Sequence, residues 1–257
     1  MYNSKNYKRR LKLSMNKFLC FISSFFLLLS ISFNSLSDNQ LDNFNSKFAK
    51  YKSDPKVRSA KAMVVNQNNG KVIYQKNAYS EASIASLTKL MTAMVILDSK
   101  IDLKKKIKIT KHDIDRLKGT GSRIPIGTLV TGYDLLKISL MSSDNRAASA
   151  LSRAYPSGKK GFIKAMNIKA LKLGMHNSKF ADPTGLNKRN KSTARDLVRM
   201  VEAAYQYPEI RKITTTSQET FRIGKRKNEI GFVNTNRLVR KGTWDIGLSQ
   251  TGFTRDA

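Results

Sequence analysis

Cysteine is almost missing from the 257 residues: the single one, Cys20, lies inside an apolar run near the N-terminus. One cysteine makes no internal disulfide, and with Cys20 set aside the rest of the chain has no thiol nucleophile. Histidine is nearly as scarce. His112 and His176 stand far apart without a partner cluster, so each reads as an ordinary surface or hydrogen-bonded residue, and neither a metal centre nor a Ser-His-Asp hydrolase is expected. Acidic residues number 18 against 48 lysines and arginines, a formal charge of +30. Such a surface favours polyanions. The basic residues are nevertheless scattered, and no aromatic-basic recognition motif accompanies them, so nucleic acid is not the expected partner. The joint abundance of Lys, Asn and Ile reads as compositional bias, with an anionic cell-wall polymer as the functional alternative.

Long apolar runs are also missing, with one exception. Phe18 to Phe33 carries no charge and follows Lys5, Lys8, Arg9, Arg10, Lys12 and Lys17, the order of a secretory leader. The run is short for a membrane span, and Ser35 and Ser37 supply the small residues wanted before cleavage, near Ser37/Asp38. Residues 1–37 are therefore expected to be a signal peptide, with Met15 an equally good start. Membrane association would come only through an uncleaved leader. The leader holds six of the positive charges, leaving +24 on residues 38–257.

Residues 38–57 are polar and read as a linker. In AKAMVVNQNNGKVIYQKN, two β-rich runs flank Asn69-Gly70, which predicts a hairpin with a two-residue turn. In SLTKLMTAMVILD, Leu87, Leu90, Met91, Met94 and Val95 follow helical spacing while Ala93 and Ile96 fill the other side, so this helix should be buried. Thr131-Gly-Tyr-Asp134 and Thr193-Ala-Arg-Asp196 are capping boxes that open helices. The first helix should break at Ser143-Asp144-Asn145, because these side chains favour caps over helix interiors, and RAASALSRAY should restart it. FADPTGL is a turn-rich loop. From Ile213 to Ile223 a strand pair is expected, and WDIGLSQTGF should be a further strand. Strands, then helices, then strands predict an α+β fold.

Without a histidine base, a serine enzyme here needs another one, and lysine can serve. Ser86-Leu-Thr-Lys89 sets a hydroxyl and an amine one helical turn apart on the same face, at the start of the buried helix. Burial would lower the amine pKa as a base requires. The pattern is cheap in a lysine-rich chain: Ser-x-x-Lys also begins at Ser14, Ser53 and Ser157. Ser-x-Asn is as common, and Ser143-Asp-Asn145 alone would read as a helix cap. Order adds weight. Ser143 follows Ser86 by 57 residues, and a Thr-Gly pair at Thr251 follows after 108 more.

SIASLTKLMTAMVILD, LMSSDNRAASAL, FADPTGL, STARDLVRM, NTNRLV and SQTGF, in this order, resemble the low-molecular-mass penicillin-binding proteins, the serine D-alanyl-D-alanine carboxypeptidases. The wording of the first two motifs is most similar to the D-alanyl-D-alanine endopeptidase branch. The resemblance implies a penicillin-binding-protein/β-lactamase-like fold, an antiparallel sheet with a helical cluster, over residues 58–257. It also implies a peptidoglycan enzyme inhibited by β-lactams, without metal or organic cofactor. Ser86 would be the nucleophile and Lys89 its base, with Ser143 relaying a proton and Asn145 holding Lys89 and the substrate amide. Thr251 would bind the substrate carboxylate, Gly252 would admit the substrate backbone, and the Ser86 and Phe253 amides would form an oxyanion hole.

The chain departs from the family pattern in three ways. Ser83 replaces a proline, a change expected to matter little. Gln250 replaces the usual lysine before Thr-Gly, which removes a cation; one partly buried charge-assisted hydrogen bond is worth about 1–3 kcal/mol, roughly 5- to 150-fold. Arg255 is a candidate substitute, although strand alternation sets it on the opposite face from Gln250. Finally, the family's C-terminal strands and helix are not found after Ala257, which predicts an unfilled gap beside the hairpin. On that ground a truncated, non-catalytic cell-wall binder or a decaying gene product is the alternative reading.

Overall fold

The computed structural model describes residues 55–99, 101–224 and 228–253. The expected signal peptide, almost all of the linker, and Arg255 lie outside the described residues.

The described residues between 59 and 253 hold eight short strands and seven α-helices. In chain order these are β1 (Ala62–Val65), β2 (Val72–Lys76), β3 (Ala82–Ser83), α1 (Thr88–Asp98), β4 (Lys106–Lys108), β5 (Leu129–Thr131), α2 (Gly132–Met141), α3 (Asn145–Arg153) and α4 (Gly158–Lys172). They continue with β6 (Lys191–Ser192), α5 (Ala194–Tyr205), α6 (Pro208–Thr214), β7 (Gln218–Ile223), β8 (Asn228–Val233) and α7 (Arg237–Lys241). The strands pair two by two and all antiparallel: β1 with β2, β3 with β6, β4 with β5, β7 with β8.

Helix α1 is the centre of the core. From Thr88 to Ile96 every residue is buried, because α2, α3, α4 and α5 pack around it. Its Leu90, Met91, Met94 and Ile96 would each gain about 1.5–3 kcal/mol from full burial, ample anchorage for a helix that carries a charged-type residue into the interior. Of the two predicted capping boxes the N-cap half forms in each: Thr131 Oγ1 accepts from the Asp134 amide at 3.0 Å, and Thr193 Oγ1 from the Asp196 amide at 3.1 Å, while Asp134 turns to the Thr131 hydroxyl and Asp196 to Arg199. The break at Ser143 is equally literal. Ser142 closes α2, Ser143 takes φ +58, and Asp144 caps α3 by accepting from the Ala147 amide at 2.9 Å.

Three sequence expectations need correction. The hairpin loop has four residues rather than two: the Asn66 amide donates to the Lys71 carbonyl at 2.9 Å, and Gly70, at φ +69, donates back to the Asn66 carbonyl. Asn66 and Asn69 side chains take two more loop amides, which is what makes the longer turn competitive. Ile213 and Thr214 end helix α6 instead of opening a strand, since Pro208 pre-sets the first helical position and outweighs the β-branched run. Residues 243–253 form no strand. A strand needs a neighbour's backbone ladder, whereas this segment is held through side chains: the Ser249 amide donates to Thr214 Oγ1 and Asn236 Nδ2 to Ser249 Oγ. Helix α4 has no counterpart among the sequence expectations. Glycines and lysines dilute its pattern, but Phe162, Met166 and Ala170 recur every four residues on its buried face.

An open groove of about 720 Å³ runs between β1 and α5, lined by Met63, Val65, Leu197, Val201 and Leu248 among others. Among the described residues no helix is long and apolar enough to cross a membrane.

Candidate active site

Ser86 occupies a single 3-10 turn, Ala85–Leu87, that delivers the chain into α1. Ala85 has φ +46, a left-handed conformation that costs a non-glycine residue about 1–2 kcal/mol, so the turn must be held from outside. The FADPTGL loop holds it. Gly185 lies so close that a methyl group on it would sit 1.8 Å from the Ala85 carbonyl oxygen. Its own φ of +88 also requires glycine.

The loop is in turn pinned by two buried side chains. Asp182 Oδ1 accepts from the Thr184 amide (2.6 Å), Thr184 Oγ1 (2.8 Å) and the Gly185 amide (2.7 Å), while Oδ2 takes the Asn187 amide (2.6 Å). Asn190 Oδ1 accepts from the Ala181 and Asp182 amides, and its Nδ2 donates to Thr88 Oγ1 on α1 at 3.0 Å. Thr92 Oγ1 adds a bond to the Pro183 carbonyl at 2.7 Å. Loop, turn and helix are one hydrogen-bonded unit.

That unit encloses Lys89, whose exposure is 0%. Its Nζ meets Asn145 Oδ1 at 2.7 Å, the Thr184 carbonyl at 2.8 Å and Ser86 Oγ at 2.9 Å. The first two partners can only accept, so the amine donates to both. A neutral amine has two N–H groups and one lone pair, which leaves the lone pair for the serine hydroxyl. Burial pushes the Lys89 pKa from 10.5 to about 7, against the opposing pull of the Asp144 and Asp182 carboxylates. Near neutral pH the amine is therefore divided between its charged form and the form that can take the Ser86 proton. Asp144 is itself shifted: burial pushes its carboxyl up, against hydrogen bonds from the Ala147 amide and Ser122 and the charges of Lys89 and Arg146.

Asn145 opens α3 and ties the site to a third segment, donating from Nδ2 to Thr120 Oγ1 at 2.9 Å. Ser143 stands between α2 and α3, yet among the described residues its hydroxyl makes no hydrogen bond to Ser86, Lys89 or Asn145. Gly252 rests on the Ala85–Leu87 turn, where a methyl group on it would be 3.3 Å from the Ile84 carbonyl and 3.4 Å from the Ser86 amide nitrogen. Thr251 Oγ1 pairs with Thr235 Oγ1. Gln250 Nε2 donates to the Thr251 carbonyl at 3.1 Å, while its Oε1 is buried without a partner among the described residues. Phe253 is 89% exposed.

Sequence reading missed the second half of the lysine cradle. The Thr184 carbonyl, Asp182, Asn190 and Thr120 all act here, and only the turn chemistry of FADPTGL hinted at a structural role. A main-chain acceptor leaves no mark in a sequence pattern. His112 and His176 are exposed, and among the described residues no group of three or more His, Cys, Asp or Glu side chains could hold a metal ion.

A family model described as D-alanyl-D-alanine carboxypeptidase matches residues 48–257. The D-alanyl-D-alanine endopeptidase of Pseudomonas aeruginosa is 45% identical over 201 residues, covering 78% of this chain and 65% of that protein. The Escherichia coli protein of the same name is 44% identical over 205 residues, covering 80% and 66%. The chain thus spans slightly less than two thirds of the length of these relatives. The crystal structure of the Streptomyces K15 DD-transpeptidase superposes with a TM-score of 0.74 at 30% identity, covering 80% of this chain and 84% of that one.

Proposed function

We propose, from the premise that the chain belongs to the D-alanyl-D-alanine carboxypeptidase family, that it is a serine D-Ala-D-Ala carboxypeptidase/endopeptidase acting on peptidoglycan stem peptides through an acyl-enzyme on Ser86. The observation that carries this reading is the buried Lys89 amine, held by two obligatory acceptors with its third contact on the Ser86 hydroxyl.

Neutral Lys89 takes the Ser86 proton as Oγ bonds to the D-Ala carbonyl carbon. The amides of Ser86 and Phe253 receive the developing oxyanion. The carbon–nitrogen bond then breaks, the leaving amine collects a proton relayed from Lys89 through Ser143, and an ester remains on Ser86. Ser143 takes that role in the substrate complex. Water hydrolyses the ester with Lys89 again as base. Asn145 orients Lys89 and the substrate amide, Thr251 and Gln250 receive the terminal carboxylate, and Gly252 leaves room for the substrate backbone. Peptidoglycan and β-lactams are the partners of this site, and the leader-like N-terminus supports export to the periplasm, where that substrate lies.

Labelled penicillin tests the reading. The purified chain should take one covalent label, and Ser86→Ala should take none. A folded chain that takes no label is a non-catalytic wall binder instead.

A further inference from the structure

The amide of Asn145 has a donor end and an acceptor end of nearly the same shape, and the two ends would treat Lys89 in opposite ways. With Oδ1 toward the amine, Lys89 donates an N–H to it and keeps its lone pair for the Ser86 hydroxyl. With Nδ2 toward the amine, the amide donates into that lone pair, and neutral Lys89 can no longer take the Ser86 proton. In the structure Oδ1 faces Lys89 at 2.7 Å. A neutral amine accepts as readily as it donates, so the choice has to be made by Asn145's other neighbour.

That neighbour lies on the loop between β4 and β5. Asp115 Oδ2 accepts from the Thr120 amide at 2.8 Å and the Thr120 hydroxyl at 2.7 Å, and Oδ1 accepts from the Leu117 and Lys118 amides. Burial pushes the Asp115 carboxyl up, but the hydrogen bonds from Thr120, Leu117 and Lys118 outweigh it and hold the pKa below its ordinary value. The group is therefore a carboxylate, which can only accept. The one hydroxyl proton of Thr120 is spent on it. What Thr120 can offer Asn145 is a lone pair, and this takes an Nδ2 hydrogen at 2.9 Å. With Nδ2 drawn to Thr120, Oδ1 is left toward Lys89.

Resting on the acylation reading, we infer that Thr120 is a positioning residue: its hydroxyl, committed to Asp115, fixes the direction of the Asn145 amide and thereby keeps the Lys89 lone pair on Ser86. Each group in the series Asp115, Thr120, Asn145, Lys89 accepts from the next, and Lys89 ends it by accepting from Ser86. The second Nδ2 hydrogen of Asn145 stays available for a substrate carbonyl. Charge decides when the selection matters. A charged Lys89 has no lone pair, and Nδ2 against an ammonium would set donor against donor, so Asn145 presents Oδ1 with or without Thr120. Once the amine is neutral both directions are open to an unguided amide, and the turned one removes the base. The carboxylates that act on Lys89 are Asp144, before α3, and Asp182, in the FADPTGL loop, with the Arg146 charge acting on Asp144. Replacing Thr120 leaves all three in place, and Asp115 as well.

The test is the pH profile of the second-order rate of penicillin labelling, taken on the full chain from about pH 5 to about pH 9. Thr120→Val keeps the side-chain volume and loses the hydroxyl. Water in its place can donate or accept, so neutral Lys89 divides its population between the two directions of Asn145. The alkaline plateau should fall about 5-fold, the weight of one net hydrogen bond, and the midpoint should fall by about 0.7 of a pH unit, because the turned amide stabilises the neutral amine. On the acid side the two changes cancel and the curves should coincide. A site that is merely loosened loses rate on both sides. Thr120→Ser keeps the hydroxyl and should restore the whole curve. A drop that is uniform in pH, an unchanged curve, or a Thr120→Ser chain that behaves like Thr120→Val overturns the role of Thr120. Label on the unaltered chain with any of these outcomes sinks this inference alone, and no label on the unaltered chain sinks the acylation reading with it.

Discussion

At the residue scale, the site is built around one amine whose surroundings decide its protonation. The spacing that singled out Ser86, Lys89 and Asn145 picks three side chains the structure brings into hydrogen-bond contact, whereas Ser143 makes no such bond among the described residues; what the pattern could not carry is the set of main-chain and loop acceptors that bury Lys89 and leave it one lone pair. Gln250 is the weak point. Its buried Oε1 has no partner among the described residues, a defect worth about 1–3 kcal/mol, and it brings no charge where the family has lysine. Gln250→Lys removes the orphan acceptor and, on the acylation reading proposed above, adds a cation for the substrate carboxylate. The expected result is a second-order acylation rate by penicillin raised roughly 5- to 150-fold. An unchanged or slower rate in a variant with an unaltered melting profile would count against this account.

At the element scale, capping chemistry was the most readable layer. Thr131 and Thr193 each open a helix as their spacing to Asp134 and Asp196 predicts, and Ser143-Asp144-Asn145 ends one helix and starts the next. Legibility failed where a local preference met a stronger neighbour: Pro208 drew Ile213 into α6, asparagine side chains lengthened the hairpin loop, and residues 243–253 lacked a ladder. The cap at Thr193 also fixes the Asp196 carboxylate, which binds Arg199 at 2.8 Å and the Asn177 amide at 2.8 Å and so ties α5 to the loop after α4. Thr193→Ala should cost about 1 kcal/mol, a drop of about 2–4 °C in melting temperature. Thr193→Ser keeps the hydroxyl and should restore most of it. Equal melting of all three chains would show that the cap contributes nothing.

At the scale of the whole molecule, the buried lysine leaves a signature on stability. Its pKa falls from 10.5 in the unfolded chain to about 7 in the folded one, so between these values the unfolded chain binds more protons. Stability therefore rises with pH across that window, and below about pH 7 the full penalty applies. Lys137 and Lys169, whose pKa values are held above the usual lysine value despite burial by pairing with Glu219 and Asp98, lose their contribution only at higher pH. Lys89→Met should lack the rise, so the difference in melting temperature between the two chains should shrink steadily from pH 7 to pH 10. Parallel curves would mean that Lys89 is charged in the folded state.

The close fit of Gly185 on Ala85 also has a kinetic meaning. The turn that presents Ser86 is unfavourable by itself and is completed by a loop a hundred residues later, after α1, α2, α3 and α4 have been laid down. Ser86 is thus set in place by a long-range contact, among the slower events of folding. A chain that has formed its helices but not yet docked this loop holds Ser86 without the carbonyl that steadies Lys89. Covalent labelling during refolding should therefore lag behind the recovery of helical signal, and the lag would time the arrival of that one loop.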